Sequence, residues 1–190
     1  MHKKLKKYIE HYESIEDATS YELLPNGGMI LLLNLASGNE NANCQVSIEN
    51  EVYTLEQSQA ILINAYVEPV HLHSDEKLEL LAVRFKGAGA SFFYEEEMSR
   101  LMQVPDEPIS IENNMLKDDL DSYLLSRLTA SQLPFNIMKI IELLDEKGSD
   151  YSIDDVMSIA NVPRKVLDKM FNLRTGLTFK TYASLREQMA

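Results

Sequence analysis

Between about residues 20 and 85 the chain carries short apolar segments separated by turn residues, and this pattern restricts the fold more than any other feature. Strands of roughly four to eight residues produce such runs, whereas helices need longer ones. Across residues 44–54 apolar and polar residues alternate, and a polar turn at 49–51 returns the chain, which predicts a β-hairpin. Other candidate strands lie within 29–35, 59–67 and 78–85. We therefore expect an antiparallel β-sandwich or barrel.

After the last of these strands the spacing of apolar residues changes to that of helices. Residues 92–104 predict a helix with Met102 on its apolar face, ended by Pro105. The stretches 115–128 and 135–148 each carry an apolar stripe at helical spacing. The stripes consist of Leu116, Leu120, Tyr123, Leu124 and Leu128, and of Ile137, Ile140, Ile141 and Leu144. The sequence therefore predicts a helical linker after the β domain.

The tail, residues 152–189, predicts three short helices. Caps, turns and helix ends select particular residue types, and the tail carries them in the right order. These signals are Ser152 with Asp155, Asn161, Pro163, Gly176 and Thr178. The residues predicted to face inward are Ile153, Val156, Ile159, Val166, Leu167, Met170, Phe171, Phe179, Tyr182 and Leu185.

The second of these helices has a largely basic outer face. The outward residues are Arg164, Lys165, Asp168, Lys169 and Asn172. Two helices joined by a tight turn, the second with a basic face, form the helix-turn-helix arrangement that reads the DNA major groove. A plain three-helix packing module has the same pattern, so the pattern alone leaves both interpretations open.

Residues 152–186 resemble the first of the two helix-turn-helix motifs of the AraC/XylS family of transcriptional regulators, without a gap. The strongest points of the match are Ser152-Ile153, Val162, Leu167, Phe171, Thr175-Gly176-Leu177 and Tyr182. In the family the second helix enters the major groove, which assigns groove contacts to the five outward residues named above. The resemblance also assigns phosphate contacts to Arg174, Lys180 and Arg186.

Residues 22–35 and 80–102 are similar to the opening and closing parts of the cupin-like N-terminal domain found in some members of that family. The resemblance implies a small β-barrel that senses an effector or mediates dimerisation. The expected fold class is therefore α+β, a cupin-like antiparallel β-barrel or sandwich followed by a helical linker and a three-helix helix-turn-helix unit. The expected domains are 1–105, 106–149 and 150–190.

The tail also departs from the family pattern. Met157 stands where a small residue is usual, Pro163 where a serine cap is usual, Lys169 where arginine is usual and Glu187 where a basic residue is usual. The resemblance covers only the first of the family's two motifs. These departures favour an alternative, a ligand-sensing or protein-interaction module derived from such a regulator that does not bind DNA.

Charge is distributed unevenly along the chain, whose formal net charge is -12. Residues 1–150 hold 12 Lys and Arg against 26 Asp and Glu, whereas residues 151–190 hold 6 against 4. An acidic body with a weakly basic tail is compatible with DNA as a partner and gives it only thin support. The single cysteine, Cys44, and the lack of a long apolar run favour a cytoplasmic protein without a membrane segment.

His71 and His73 stand two apart and so project from one face of a strand, as the histidine pair of a metal-binding cupin does. The glycine-rich surroundings of the enzyme motif are absent, so we expect exposed histidines, no metal, no cofactor and no enzymatic activity. The basic segment 2–12 is expected to dock on the barrel through Leu5, Tyr8, Ile9 and Tyr12. The resemblance and the apolar linker together predict a homodimer with a small-molecule effector.

Overall fold

The fold was derived from a computed structural model of the chain, which describes residues 1–36, 42–94, 102–103, 117–128, 139–140, 153–161 and 163–189. Nine strands come first and four helices follow, with two 3-10 turns. The strands are β1 (Ile9–Glu16), β2 (Ser20–Leu23), β3 (Ile30–Asn34), β4 (Cys44–Ile48), β5 (Glu51–Leu55), β6 (Ala60–Ile63), β7 (Val70–His73), β8 (Glu79–Phe85) and β9 (Met102–Gln103). The turns are η1 (Leu5–Lys7) and η2 (Gly87–Phe92), and the helices are α1 (Lys117–Arg127), α2 (Ile153–Ala160), α3 (Arg164–Thr175) and α4 (Phe179–Met189).

The strands form two antiparallel sheets. One sheet has the order β1-β8-β3-β6-β9 and the other the order β2-β7-β4-β5. Apolar residues from both sheets meet in one buried cluster, to which Leu32 and Ala82 contribute from the first sheet and Val46 and Leu72 from the second. Burial of this shared apolar surface holds the two sheets face to face. The predicted cupin-like α+β architecture is confirmed at this level.

The predicted hairpin is formed by β4 and β5. Cys44 pairs with Leu55 and Ile48 pairs with Glu51 across the hairpin. Its turn places Glu49 at a φ of 54°, a left-handed conformation that tight hairpin turns often require. Cys44 and Val46 are buried between the sheets, because residues two apart on a strand face the same side.

The five-stranded sheet has a second apolar face, turned away from the other sheet. Leu81, Val83 and Phe85 of β8 belong to a cluster on this face, whereas Leu80 and Ala82 belong to the inner cluster. A strand that is apolar on both faces must be covered on both. On the outer side the cover includes η1, η2 and residues of all four helices.

Helix α1 packs on this outer face. Leu120 and Leu124 are fully buried, and the Tyr12 hydroxyl of β1 donates a hydrogen bond of 2.6 Å to Asp121. Burial, together with the bond to Asp121 and its charge, raises the pKa of Tyr12 above its usual value. Arg127 lies over the Tyr94 ring, 5.0 Å from its centroid. The described part of the predicted linker stripe therefore packs within the chain.

The glycine-rich stretch before α1 brings η2 against the start of β1. A Cβ added at Gly89 would lie 2.2 Å from the Tyr8 carbonyl oxygen, so no larger residue fits without a backbone shift. The Lys86 amide donates to that same oxygen at 2.8 Å. Glycine is needed here because the two backbones approach so closely.

Sequence analysis missed β1, the edge strand of the larger sheet. Segment 2–12 was expected to dock on the barrel, and Leu5 and Ile9 are indeed fully buried. From Ile9 onwards, however, the segment is part of the sheet and pairs with β8. An irregularity between Ile9 and His11 interrupts the alternation of faces, which explains why the pattern was not seen.

The helix predicted over 92–104 is wrong at both described ends. Phe92 closes η2, and Met102–Gln103 forms β9, which pairs with β6. Residues 95–101 lie outside the described residues, as do Leu116, Ser152, Val162 and most of 135–148, of which only Lys139 and a buried Ile140 are described, both helical. Among the described residues, no helix has the length and apolar character needed to cross a membrane.

A buried ion pair lies on the inner face at one end of the sandwich. Arg84, whose side chain is 9% exposed, donates from Nε to Glu13 at 2.6 Å and from a terminal nitrogen to the Leu24 carbonyl at 3.0 Å. Tyr21 donates to the same carboxylate at 2.6 Å. Burial alone would raise the pKa of Glu13, but the bonds from Tyr21 and Arg84 and the nearby positive charge lower it.

We expect Glu13→Gln to lower the free energy of unfolding by about 2 kcal/mol at neutral pH, because it leaves the buried guanidinium without its counter-ion. The pKa of Glu13 is lowered in the folded chain, so its contribution is complete above the ordinary value of 4.5 and is lost as the pH falls through the folded pKa. Urea unfolding of both proteins between neutral and acidic pH checks this. The difference between them should shrink below pH 4.5, and Glu68→Gln, at an exposed residue, serves as the control. A difference independent of pH would contradict the assignment.

Candidate nucleic-acid interface

Helices α2 and α3 are joined by a tight turn whose geometry follows from its residues. Asn161 has a φ of 52°, a left-handed conformation that asparagine tolerates better than most residues. Pro163 is extended, and α3 begins at the next residue. The predicted roles of Asn161 and Pro163 are both confirmed.

The inward face of α3 holds the three helices together. Leu167, Phe171 and Thr175 are buried, and the Phe171 ring meets Phe179 and Tyr182 of α4 edge-on, with centroids 5.5 Å apart in each pair. Val156 of α2 is buried in the same cluster. Aromatic pairs in this orientation add to the stabilisation from burial alone. The outer face of α3 is thereby fixed in orientation relative to α2 and α4.

Helix α3 ends and α4 begins through local hydrogen bonds. Gly176 takes a φ of 79° at the end of α3, the conformation for which glycine is preferred there. The Thr175 hydroxyl donates to the Phe171 carbonyl at 2.8 Å and accepts from the Leu177 amide at 3.1 Å. Thr178 accepts from the Thr181 amide at 3.2 Å, as expected of a helix cap. The helix boundaries agree closely with those expected from the sequence.

The cations of α3 point away from this apolar cluster. Arg164, Lys165 and Lys169 are exposed, whereas Asp168 is partly buried. Arg164 lies 3.8 Å from the Asp168 carboxylate, which offsets part of its charge. Lys165 and Lys169 are one turn apart and form no ion pair with any residue that the structure describes. Like charges at this spacing repel each other and favour an anion beside the helix.

The other predicted contacts are less uniform. The Asn172 amide is directed at the Gly176 carbonyl at 3.5 Å, so it lies at the closing end of α3. Arg174 is partly buried and Lys180 of α4 is exposed. Arg186 belongs to α4, but its side chain lies outside the described residues.

Val166 was predicted to face inward, and this is wrong, because the residue is 43% exposed. Helix geometry explains the difference. The buried row runs through Leu167, Phe171 and Thr175, and Val166 is rotated by roughly 100° from its first member. Counting from that row would have placed Val166 beside Lys169, on the solvent side.

Helix α3 also touches the β domain, since it packs against η2. Both elements contribute buried residues to the cluster on the outer face of the five-stranded sheet, Leu167 and Phe171 from α3 and Ala88 and Ala90 from η2. The inner side of the basic helix is therefore in contact with the segment that follows β8.

The two strand histidines lie where an exposed pair was expected. His71 and His73 on β7 are each 63% exposed, and their nearest acidic partners are Glu22 at 3.7 Å and Asp75 at 4.0 Å. Within the described residues, no group of three or more His, Cys, Asp or Glu side chains is placed to hold a metal ion. Burial raises the pKa of the Cys44 thiol to about 11, which keeps it protonated and unreactive.

Comparison with known proteins gives similarity at the level of structure. No protein-family model matches the chain, and no curated protein matches it by sequence. The P21 crystal form of ToxT from Vibrio cholerae has a TM-score of 0.54 at 14% identity, covering 93% of this chain and 79% of that one. ToxT from Vibrio cholerae O395 has a TM-score of 0.51 at 14% identity, covering 95% and 79%. ToxT is an AraC-family regulator, so the chain shares the fold of such a regulator.

Proposed function

We propose that this chain is a cytoplasmic transcriptional regulator of the AraC type, with a β domain that senses an effector and a tail that binds DNA through α3. The observation that carries the proposal is the exposed basic face of α3, formed by Arg164, Lys165 and Lys169. This face is held outward by a buried aromatic cluster, in a chain with the fold of a known regulator. The proposal assigns the chain no catalytic reaction, metal or cofactor.

DNA binding would follow from the charge and orientation of α3. An α-helix fits the major groove, and its first turns can reach the base edges. The unpaired Lys165 and Lys169 repel each other in the free protein by roughly 0.2–0.5 kcal/mol, and a phosphate beside them removes that cost. Lys180, and Arg174 and Arg186 by the family resemblance, would add phosphate contacts. Two copies of the chain would bind two half-sites as a symmetric dimer.

The contact between α3 and η2 supplies a route for regulation. Because η2 lies against the start of β1 and follows β8 directly, a shift of these strand ends would move the surface on which α3 rests. An effector that binds one arrangement of the β domain more tightly than another would thereby change DNA affinity, and bound DNA would change effector affinity by the same factor.

The experiment that tests the proposal is selection of genomic DNA fragments by the purified chain at low and at near-physiological salt. We expect enrichment of a few specific sequences that survives the higher salt. Phosphate contacts alone give binding that is blind to sequence and falls steeply with salt. Binding of that kind, or none, would contradict the proposal.

The second candidate is a ligand-sensing or protein-interaction module that does not bind DNA. It is favoured by the acidic body, since residues 1–150 hold 26 Asp and Glu against 12 Lys and Arg. The Arg164–Asp168 pair, which offsets one of the three cations, favours it too. This candidate predicts that the same selection enriches no sequence, while the purified chain associates with itself or with a full-length regulator.

A further inference from the structure

Val166 is an apolar side chain on the basic face of α3. It is 43% exposed, although its neighbour Leu167 is almost fully buried. It lies three residues before Lys169 and directly after Lys165, so the two lysines flank it on the helix surface. It falls in the first turn of α3, the part of a reading helix that comes nearest to the base edges.

The chemistry of valine restricts what it can recognise in a groove. Valine neither donates nor accepts hydrogen bonds, so it cannot distinguish bases by their polar edges. In the major groove thymine presents a C5-methyl group, the one apolar feature by which side chains recognise a base there. In a helix the branched side chain is held almost entirely in one rotamer, so its two methyl groups have a fixed position before any contact forms.

We infer that Val166 is a specificity-determining residue that packs against the C5-methyl group of a thymine in each DNA half-site. The inference rests on the proposed DNA-binding function and deepens it by naming one base and one atom. The flanking lysines attract the phosphates and bring the helix into the groove, and Val166 then discriminates thymine from cytosine at a single position. Loss of one buried methyl group from such a contact corresponds to about a four-fold weaker affinity.

The test removes each partner of the contact separately. The full chain first selects its preferred sequences from a random DNA library, and each thymine of the best sequence is then replaced in turn by deoxyuridine, which lacks only the methyl group. Dissociation constants are measured for the wild type and for Val166→Ala. We expect one replacement per half-site to weaken wild-type binding about four-fold and to leave binding of Val166→Ala unchanged. Val52→Ala, on a residue of β5 that is 64% exposed, is the control and should respond as the wild type does.

Two results would overturn the inference, and they differ from each other. If the chain selects a sequence but Val166→Ala loses as much affinity as the wild type at every deoxyuridine, Val166 does not read a thymine methyl group, while the proposed function stands. If the chain selects no DNA at all, the proposed function fails and the inference fails with it. Because Val166 is exposed, its replacement by alanine is not expected to unfold the chain.

Discussion

Replacing Arg164, Lys165 and Lys169 together by alanine is expected to weaken binding to the selected DNA on the order of a hundred-fold, about 1 kcal/mol for each lost contact. All three side chains are exposed on α3, so the change removes charge from the outer face and leaves the buried row intact. The logarithm of affinity should also depend less steeply on the logarithm of salt concentration, by about 0.9 for each phosphate contact that is lost. Fluorescence anisotropy with a labelled duplex at several salt concentrations measures both effects.

A matched control separates the position of the charges from their number. Lys3, Lys4 and Lys6 are exposed near the start of the chain, and replacing them by alanine also removes three positive charges. We expect this second triple variant to keep most of the wild-type affinity and the sequence preference. Equal losses in the two variants would mean that α3 has no special role, and the second candidate function would then be favoured.

Phe171→Ala is expected to lower the free energy of unfolding by about 4 kcal/mol, the largest effect of any substitution proposed for this chain. The Phe171 ring is completely buried and meets both Phe179 and Tyr182. Truncation to alanine removes these contacts and leaves a cavity between α3 and α4. Urea unfolding followed by circular dichroism measures the change.

Phe171→Leu is the control for this substitution. It keeps an apolar side chain of similar volume and is expected to cost less than about 1.5 kcal/mol. A loss below about 1 kcal/mol for Phe171→Ala would mean that the ring is not an essential part of the packing between the helices. In that case the orientation of the exposed basic face would have no rigid support.

The strands of the sandwich were predictable where one periodicity holds without interruption. In β4 and β5 apolar residues alternate with polar ones, and the turn at Glu49 separates the two strands clearly. In the tail, Asn161, Pro163 and Gly176 mark the helix ends by their backbone preferences, which act locally and can be read without knowledge of distant contacts.

Prediction failed where a residue's environment is set by distant parts of the chain. The irregularity after Ile9 changes which residues of β1 face inward, and only pairing with β8 reveals it. Met102 looked helical by its spacing, but its backbone is used by β6. Burial of Arg84 could not be foreseen either, because its partner Glu13 is far away in the sequence.

The candidate interface was predictable in part. The exposed positions of Arg164, Lys165 and Lys169 follow from helical spacing, and the structure places them as expected. Val166 was misplaced because an apolar residue beside a buried one was assumed to share its burial. The distance of the Asn172 amide from the Gly176 carbonyl depends on the local turn geometry, which composition and spacing do not specify.

Strand β8 separates two packed interiors by the thickness of a single peptide chain. Ala82 belongs to the interior between the two sheets, and its neighbour Val83 belongs to the interior that includes η2 and the helices of the tail. Because both interiors are close-packed, a volume added on one side cannot be absorbed by empty space and must displace the strand. A molecule that expands the space between the sheets would therefore act on the helical side mechanically, without an open channel between the two.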